Sequence, residues 1–104
     1  MTNRSINHVA VIPANQTVTY DFTPDANQII FVDGITCAGK SNGSINFRII
    51  YDPSGMNLNI FATDLPGHYP ISKQFIGNGT SKVRISIQNN NLTSTIAGMW
   101  ILYK

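Results

Sequence analysis

The sequence predicts an all-β protein, a single antiparallel β-sandwich of jelly-roll or Greek-key type with eight or nine strands. The composition is one reason: the 104 residues include 15 Ile, 12 Asn and 8 Gly but only 4 Leu and no Glu, which favours strands and turns over helices. A second reason is that apolar and polar residues alternate in short runs, as in strands with one buried face. The third is that turn-forming residues close these runs at intervals of roughly ten residues, a spacing typical of sandwiches and small barrels.

The alternation predicts nine strands, which we place at residues 6–12, 17–22, 28–33, 35–38, 44–51, 56–61, 71–76, 81–88 and 95–103. Clusters of Gly, Pro, Asn and Asp separate them, at residues 13–15, 23–25, 33–34, 42–43, 52–55, 77–79 and 89–91. Residues 1–5 are polar and unpatterned, so we expect a short N-terminal arm there. Residues 6–104 form the single domain that a chain of this length can build.

The strand pair 44–51 and 56–61 carries the clearest pattern. Asp52-Pro53-Ser54-Gly55 places Asp, Pro and Gly where a type I turn favours them. A hairpin closed by that turn would set Tyr51 opposite Met56, Ile49 opposite Leu58 and Phe47 opposite Ile60. One face of the pair would then be apolar, while the other would carry Arg48 and Asn59 together with Asn46 and Phe61, as in a sandwich with one solvent-exposed face.

Two segments, Ile29–Val32 and Ala97–Tyr103, are apolar on both faces. Either a loop or arm of the same chain covers the outer face, or another chain does, since antiparallel sandwiches usually leave one face polar. In the second case the protein would form oligomers or dock on a larger assembly. The candidate interface residues are Ile30, Val32, Met99, Ile101 and Tyr103, or the alternating set if the register slips by one residue.

Residues 34–41, which read Gly-Ile-Thr-Cys-Ala-Gly-Lys-Ser, match the phosphate-binding P-loop pattern, and residues 39–43 match the nucleophile elbow of hydrolases. Both motifs act through a helix that starts directly after the loop. Here a period-2 strand follows instead. We therefore expect neither nucleotide binding nor an elbow nucleophile.

Other catalytic or metal-binding groups are sparse. Asp64 and His68 form the only local acid–imidazole pair, and they are predicted to be loop residues; His8 lies on a predicted strand. No two His or carboxylate residues share a metal-ligand spacing, and the single Cys37 excludes a cysteine-rich zinc site. The prediction is a protein that is not an enzyme and that uses no cofactor and no metal.

The charge pattern argues against nucleic acid as a partner. The net charge is +2, and the seven basic residues are scattered without any run. We also expect no signal peptide, since residues 9–12 are too short a hydrophobic segment, and no membrane helix.

In its Asn/Ile-rich strands, most clearly in residues 81–91 and 96–103, the chain resembles the small decoration (cement) proteins and minor structural proteins of tailed-phage virions. The resemblance is one of sequence style, without a family-defining motif. It implies a jelly roll made in the host cytoplasm that sits on the capsid exterior. It further implies a homo-oligomer, possibly a trimer, that tightens contacts of a major capsid protein and has no catalytic residues.

A second hypothesis is a small carbohydrate-binding β-sandwich module. In that case Trp100, Tyr69, Tyr103 and Tyr51 would offer stacking surfaces for a glycan, and the many Asn side chains would supply hydrogen bonds. If instead Trp100 and Tyr51 belong to the core and the Asn residues form turns, the same pattern has a purely structural explanation.

Overall fold

The computed structural model describes residues 4–51 and 58–104, with only the backbone of Leu58. The described residues form eight strands: β1 (Arg4–Ile12), β2 (Thr17–Phe22), β3 (Ile29–Ala38), β4 (Ile45–Tyr51), β5 (Leu58–Thr63), β6 (Gly67–Ile76), β7 (Val83–Asn89) and β8 (Thr95–Tyr103). They contain no helix, and hence none long and apolar enough to cross a membrane.

The strands build two four-stranded antiparallel sheets, with the orders β1-β8-β3-β6 and β2-β7-β4-β5. This is the strand order of a jelly roll, in which the chain passes repeatedly from one sheet to the other. The predicted fold class is therefore confirmed. The two segments that looked apolar on both faces belong to β3 and β8, which are neighbours in one sheet.

The core lies between the sheets and is built from alternate residues of every strand, as the pleat requires. β4 and β7 show this most plainly, because Ile45, Phe47, Ile49 and Tyr51 are buried while Arg48 is exposed. The largest fully buried side chains are those of Phe47, Ile12, Ile30, Ile35, Ile45, Ile49, Ile85, Ile87, Met99, Ile101, Val32 and Val83.

The two strands predicted at 28–33 and 35–38 are one strand, β3. Asp33 and Gly34, which we expected to form a turn, instead lie at a bulge where the pairing register shifts between Val32 and Gly34. A bulge places an extra residue in one strand and bends it without reversing the chain. Inward side chains consequently change from Ile30 and Val32 before the bulge to residues 35 and 37 after it.

The predicted hairpin register was wrong, although the facing of β4 was right. Ile49 pairs with Phe61, Phe47 with Thr63 and Tyr51 with Leu58. A register shift between Ile49 and Ile50 contributes to the difference. The expected turn at residues 52–55 lies outside the described residues.

Two strands begin earlier than predicted. β1 already begins at Arg4, so Arg4 and Ser5 belong to the sheet and not to an arm, while residues 1–3 lie outside the described part. β6 begins at Gly67, because Gly67 to Pro70 pair with Cys37 to Gly34. In both places ladder hydrogen bonds extend the strand where the side chains lack alternation.

A buried asparagine ties the end of β7 to its surroundings. The side-chain amide of Asn89 donates to the carbonyl oxygens of Ile12 (3.0 Å), Pro13 (3.3 Å) and Thr93 (3.0 Å), and its Oδ1 accepts from the backbone N–H of Asn91 (2.9 Å). Buried polar groups are costly unless they are bonded. Asn89 therefore has a structural role beyond the simple turn that was predicted at residues 89–91.

Candidate binding face

The outer face of the β1-β8-β3-β6 sheet, which we call the apolar face, carries exposed hydrophobic side chains. On β1 these are Val9 and Val11, which are 52% and 62% exposed, and on β8 it is Ile96, which is 66% exposed. Val11 pairs with Ile96 and Val9 with Gly98, so these side chains form one group. Ile29 and Ile76, which pair at the other end of the sheet, add a second exposed group on the same face.

Trp100 lies beside the first group and is half-buried. A Cβ atom placed on Gly98 would lie 2.9 Å from Cη2 of Trp100, 3.1 Å from its Cζ3 and 2.8 Å from Cγ2 of Val9. The indole therefore occupies the space above Gly98 and packs beside Val9. Glycine at position 98 is what allows the aromatic ring to approach the sheet so closely.

Four side chains form a straight row across all strands of the apolar face. Asn7 pairs with Trp100, Trp100 with Thr36, and Thr36 with His68. With neighbouring strands about 4.8 Å apart, the row spans roughly 14 Å. It combines an aromatic ring with amide, hydroxyl and imidazole groups.

The imidazole of His68 is held at one end of this row. Its Nδ1 lies 2.9 Å from Oγ1 of Thr36, and the ring lies over Gly34, where a Cβ atom would come within 2.9 Å of Cε1. Among the described residues, the hydrogen-bond partner of this imidazole is Thr36 and not Asp64. The acid–imidazole pair considered from the sequence is therefore not assembled.

The outer face of the β2-β7-β4-β5 sheet, the polar face, has a different character. One row across it reads Thr19, Ser86, Arg48 and Ala62. In the next row Asp21 faces Arg84, whose Nε and Nη2 donate to the carboxylate at 2.7 and 3.0 Å. That hydrogen bond and the guanidinium charge lower the pKa of Asp21.

The five interface residues predicted from the sequence, Ile30, Val32, Met99, Ile101 and Tyr103, are all buried between the sheets. They form the core and are not available to a partner. The alternating set, the alternative given above for a register slip of one residue, is the one that faces outward. It includes Phe31, Trp100 and Leu102. Alternation alone does not say which of two apolar faces is inside.

The sequence-based prediction of interface residues did not include Val9, Val11 and Ile96. The missed signal is that residues 9–12 of β1 are also apolar on both faces, the criterion applied to residues 97–103. Among the proposed stacking residues, Tyr51 and Tyr103 are buried, and Tyr51 stacks on Phe75 with ring centroids 5.0 Å apart. Only Trp100 of that set lies on the apolar face.

The P-loop-like residues 34–41 run along β3 into the loop before β4, and no helix follows them in the described chain. The backbone therefore lacks the helix N-terminus that would bind phosphate. Within the same segment, burial raises the pKa of the Cys37 thiol to about 12, which keeps it protonated near neutral pH. No group of three metal-ligating side chains occurs among the described residues.

Comparisons with known proteins add the fold alone. No family model and no curated protein matches the sequence. Among solved structures, the chain is similar to PliG of Aeromonas hydrophila, a periplasmic inhibitor of g-type lysozyme, with a TM-score of 0.52 and 14% identity over 98% of this chain and 86% of that one. A family two carbohydrate esterase from Cellvibrio japonicus aligns with a TM-score of 0.31 and 11% identity, over 97% of this chain and 35% of the esterase.

Proposed function

We propose that this chain is a non-enzymatic assembly protein that attaches to another protein through its apolar face. The observation that carries the proposal is the unequal character of the two outer faces. Val9, Val11 and Ile96 stand in water next to Trp100 on one face, whereas the other face carries polar rows. Covering apolar surface is worth about 25 cal/mol per Å², so a partner on this face would gain from each of these side chains.

The chemistry of the described residues supports a role without catalysis. The Cys37 thiol is buried and keeps its proton, His68 shares a hydrogen bond with Thr36, and Lys40 lacks the helix that a P-loop needs. Nucleophilic catalysis requires an activated nucleophile beside a base. The described part of the chain brings no such pair together.

The assembly we propose is a tailed-phage virion, with the protein on the capsid exterior as a decoration (cement) protein and a major capsid protein as partner. The support for this choice is the sequence resemblance carried by residues 81–91 and 96–103. An exposed apolar face on a regular pair of strands is compatible with such attachment, because its side chains already lie together on one surface.

The experiment is co-sedimentation with empty shells of the major capsid protein encoded in the same genome. The double variant Val11→Asn/Ile96→Asn makes the apolar face polar, and we expect its apparent affinity to fall at least tenfold. The matched control is Thr19→Asn/Ser86→Asn, which alters an edge and a central strand on the polar face. Equal retention of the two double variants, or no binding of the unaltered protein, would contradict the proposal.

A glycan-binding module is the second candidate, favoured by the row Asn7, Trp100, Thr36 and His68. An aromatic ring flanked by hydrogen-bonding groups suits the apolar face and hydroxyl edge of a sugar ring. Because Trp100 is the only tryptophan, its intrinsic fluorescence reports directly on this row. A saturable fluorescence change on adding oligosaccharides, reduced by His68→Ala, would favour this candidate over attachment to protein.

A further inference from the structure

The edge strand β1 is unusually open for pairing. It has nine residues, and it pairs with β8 from Arg4 to Ile12 without a register shift. It contains no proline, and Arg4 at its first position is its only charged side chain. Natural sheets normally protect such edges with charges, prolines or bulges, because the free N–H and C=O groups recruit other strands.

Within the described part of the chain, the backbone groups of β1 that point away from β8 are free over most of the strand. Among the described residues, no backbone or side-chain hydrogen bond other than the β8 ladder reaches the main chain of residues 4–11. The carbonyl oxygen of Ile12 is the exception, since it accepts from Asn89. Unpaired groups are thus presented along about eight residues, roughly 27 Å of strand.

The other three edges carry the usual protection. β6 contains Pro70 and Lys73 and lies against the bulge of β3. β5 pairs with β4 across a register shift, so its ladder is irregular. β2 has six residues and includes the charged Asp21. Of the four edges that the described strands form, only β1 is long, regular and nearly uncharged.

We propose that β1 pairs antiparallel with β1 of a second copy, in the register in which paired residue numbers add up to 16, so that His8 lies on the two-fold axis. This register sets each of the nine residues of β1 opposite a residue of the second copy. It sets Arg4 opposite Ile12 of the second copy, so no like charges face each other. Antiparallel self-pairing also closes after two copies, because both contribute the same patch.

The aromatic pair at this edge also supports pairing with a second copy of the chain. His8 stacks on Tyr20 of β2 with ring centroids 5.4 Å apart and an interplanar angle of 9°. Tyr20 remains 41% exposed, at the side where the second copy would lie. Pairing through β1 brings a second His8–Tyr20 pair next to the first and removes both from water.

The dimer would join the two β1-β8-β3-β6 sheets into one sheet of eight strands. Val9 would lie opposite Asn7 of the second copy, and Val11 opposite its Ser5. The two apolar faces would then form one continuous surface for the partner considered above. The proposed pairing rests on the β1 edge and not on the proposed function. Either proposal can therefore be wrong without affecting the other.

The first test measures the molecular mass in solution and the pairing register of the two β1 strands. Light scattering at micromolar concentration should give twice the chain mass of 11.4 kDa. Directly opposed residues have Cα atoms about 4.5–5.5 Å apart, within the disulfide range of roughly 4.4–6.8 Å. His8→Cys should therefore form a disulfide-linked dimer under mild oxidation. Ser5→Cys is the matched control on the same strand, since its two copies would lie about 20 Å apart and should stay unlinked.

The second test uses charge. His8→Lys sets two like charges across the axis and should shift the protein to monomer, whereas His8→Gln removes the same stacking without charge and should remain dimeric. Ile96→Asn, on β8 away from the edge, should also remain dimeric even if it loses attachment to shells. A monomeric or trimeric unaltered protein, or disulfide linkage in the Ser5→Cys variant but not in the His8→Cys variant, overturns the proposal.

Discussion

The two sheets share one core but present different outer faces. On the polar face, the outward positions are mainly hydroxyl, amide or charged groups, as in the row Thr19, Ser86 and Arg48, and the half-buried Ile50 is an apolar exception. On the apolar face, β-branched side chains stand exposed beside Trp100. Both are four-stranded antiparallel sheets, so the difference comes from the residues at outward positions.

Comparing the two faces shows which residues the fold itself requires and which it does not. The polar face shows that this jelly roll can carry an ordinary solvated surface on a sheet whose inner side is mostly apolar. Leaving Val9, Val11 and Ile96 in water contributes nothing to the core. Exposed apolar groups of this kind are typical of interaction sites when they cluster.

The largest expected effect contrasts the inner and outer positions of the polar sheet. Ile49→Ala removes a fully buried side chain between the sheets and should lower the free energy of unfolding by about 2–5 kcal/mol. Asn59→Ala on the outer side should change it by no more than ~0.5 kcal/mol. Urea denaturation of both variants measures the difference, and similar losses would show that the facing of β4 and β5 is misassigned.

A second prediction concerns the apolar face. Gly98→Ala would place a Cβ atom 2.8 Å from Val9 Cγ2 and 2.9 Å from Trp100 Cη2, so the indole must move. Overpacking costs about 1–3 kcal/mol, partly offset by about 0.4–1 kcal/mol for replacing glycine, which leaves a net loss on the order of 1 kcal/mol. The emission maximum of Trp100 should shift as well.

In a Trp100→Ala background the Gly98→Ala substitution should cost less, because the indole atoms are gone. A double-mutant cycle measures this coupling directly. Simple additivity of the two changes would show that Trp100 does not occupy the space above Gly98.

A smaller effect is expected from the ion pair of the polar face. Arg84 lowers the pKa of Asp21 below its ordinary value of about 3.8, so the pair stabilises the fold above that pH and loses its effect as the pH falls through the lowered native pKa. Both side chains are partly exposed, which limits the contribution to about 0.2–1 kcal/mol. The stability of Asp21→Asn should thus fall below that of the unaltered protein at pH 7 and converge with it in strong acid.

The smallest effect should follow Lys40→Ala. Lys40 is exposed in the loop between β3 and β4, where no helix builds a phosphate site. The stability of the fold and the proposed attachment to shells should be unchanged in this variant. Isothermal titration with ATP should show no saturable binding to either protein, and micromolar binding that disappears in the variant would contradict this interpretation of the motif.

Much of the fold could be predicted from local pattern. Period-2 alternation correctly assigned which side chains of β4 face inward, because burial of one face is a property of the strand by itself. The turn residues marked most of the connections for the same reason. That a strand and not a helix follows the P-loop-like segment was also predictable, since residues 42–51 show no helical pattern.

Tertiary structure decided what depends on pairing between distant segments. Asp33-Gly34 reads equally well as a turn or a bulge, and the choice follows from β3 pairing with both β6 and β8. Asn89 looks like a turn residue until the carbonyl groups of Ile12 and Pro13 are brought to it.

The candidate site shows the same division. The sequence alone determined that β3 and β8 have two apolar sides, because that is a count of side chains along each strand. Which side is the core was decided by the opposite sheet, since a strand that is apolar on both sides has no internal preference. Ile30 and Met99 therefore lie inside and Trp100 outside because of how the two sheets pack, and the row from Asn7 to His68 exists only because four distant segments align side by side.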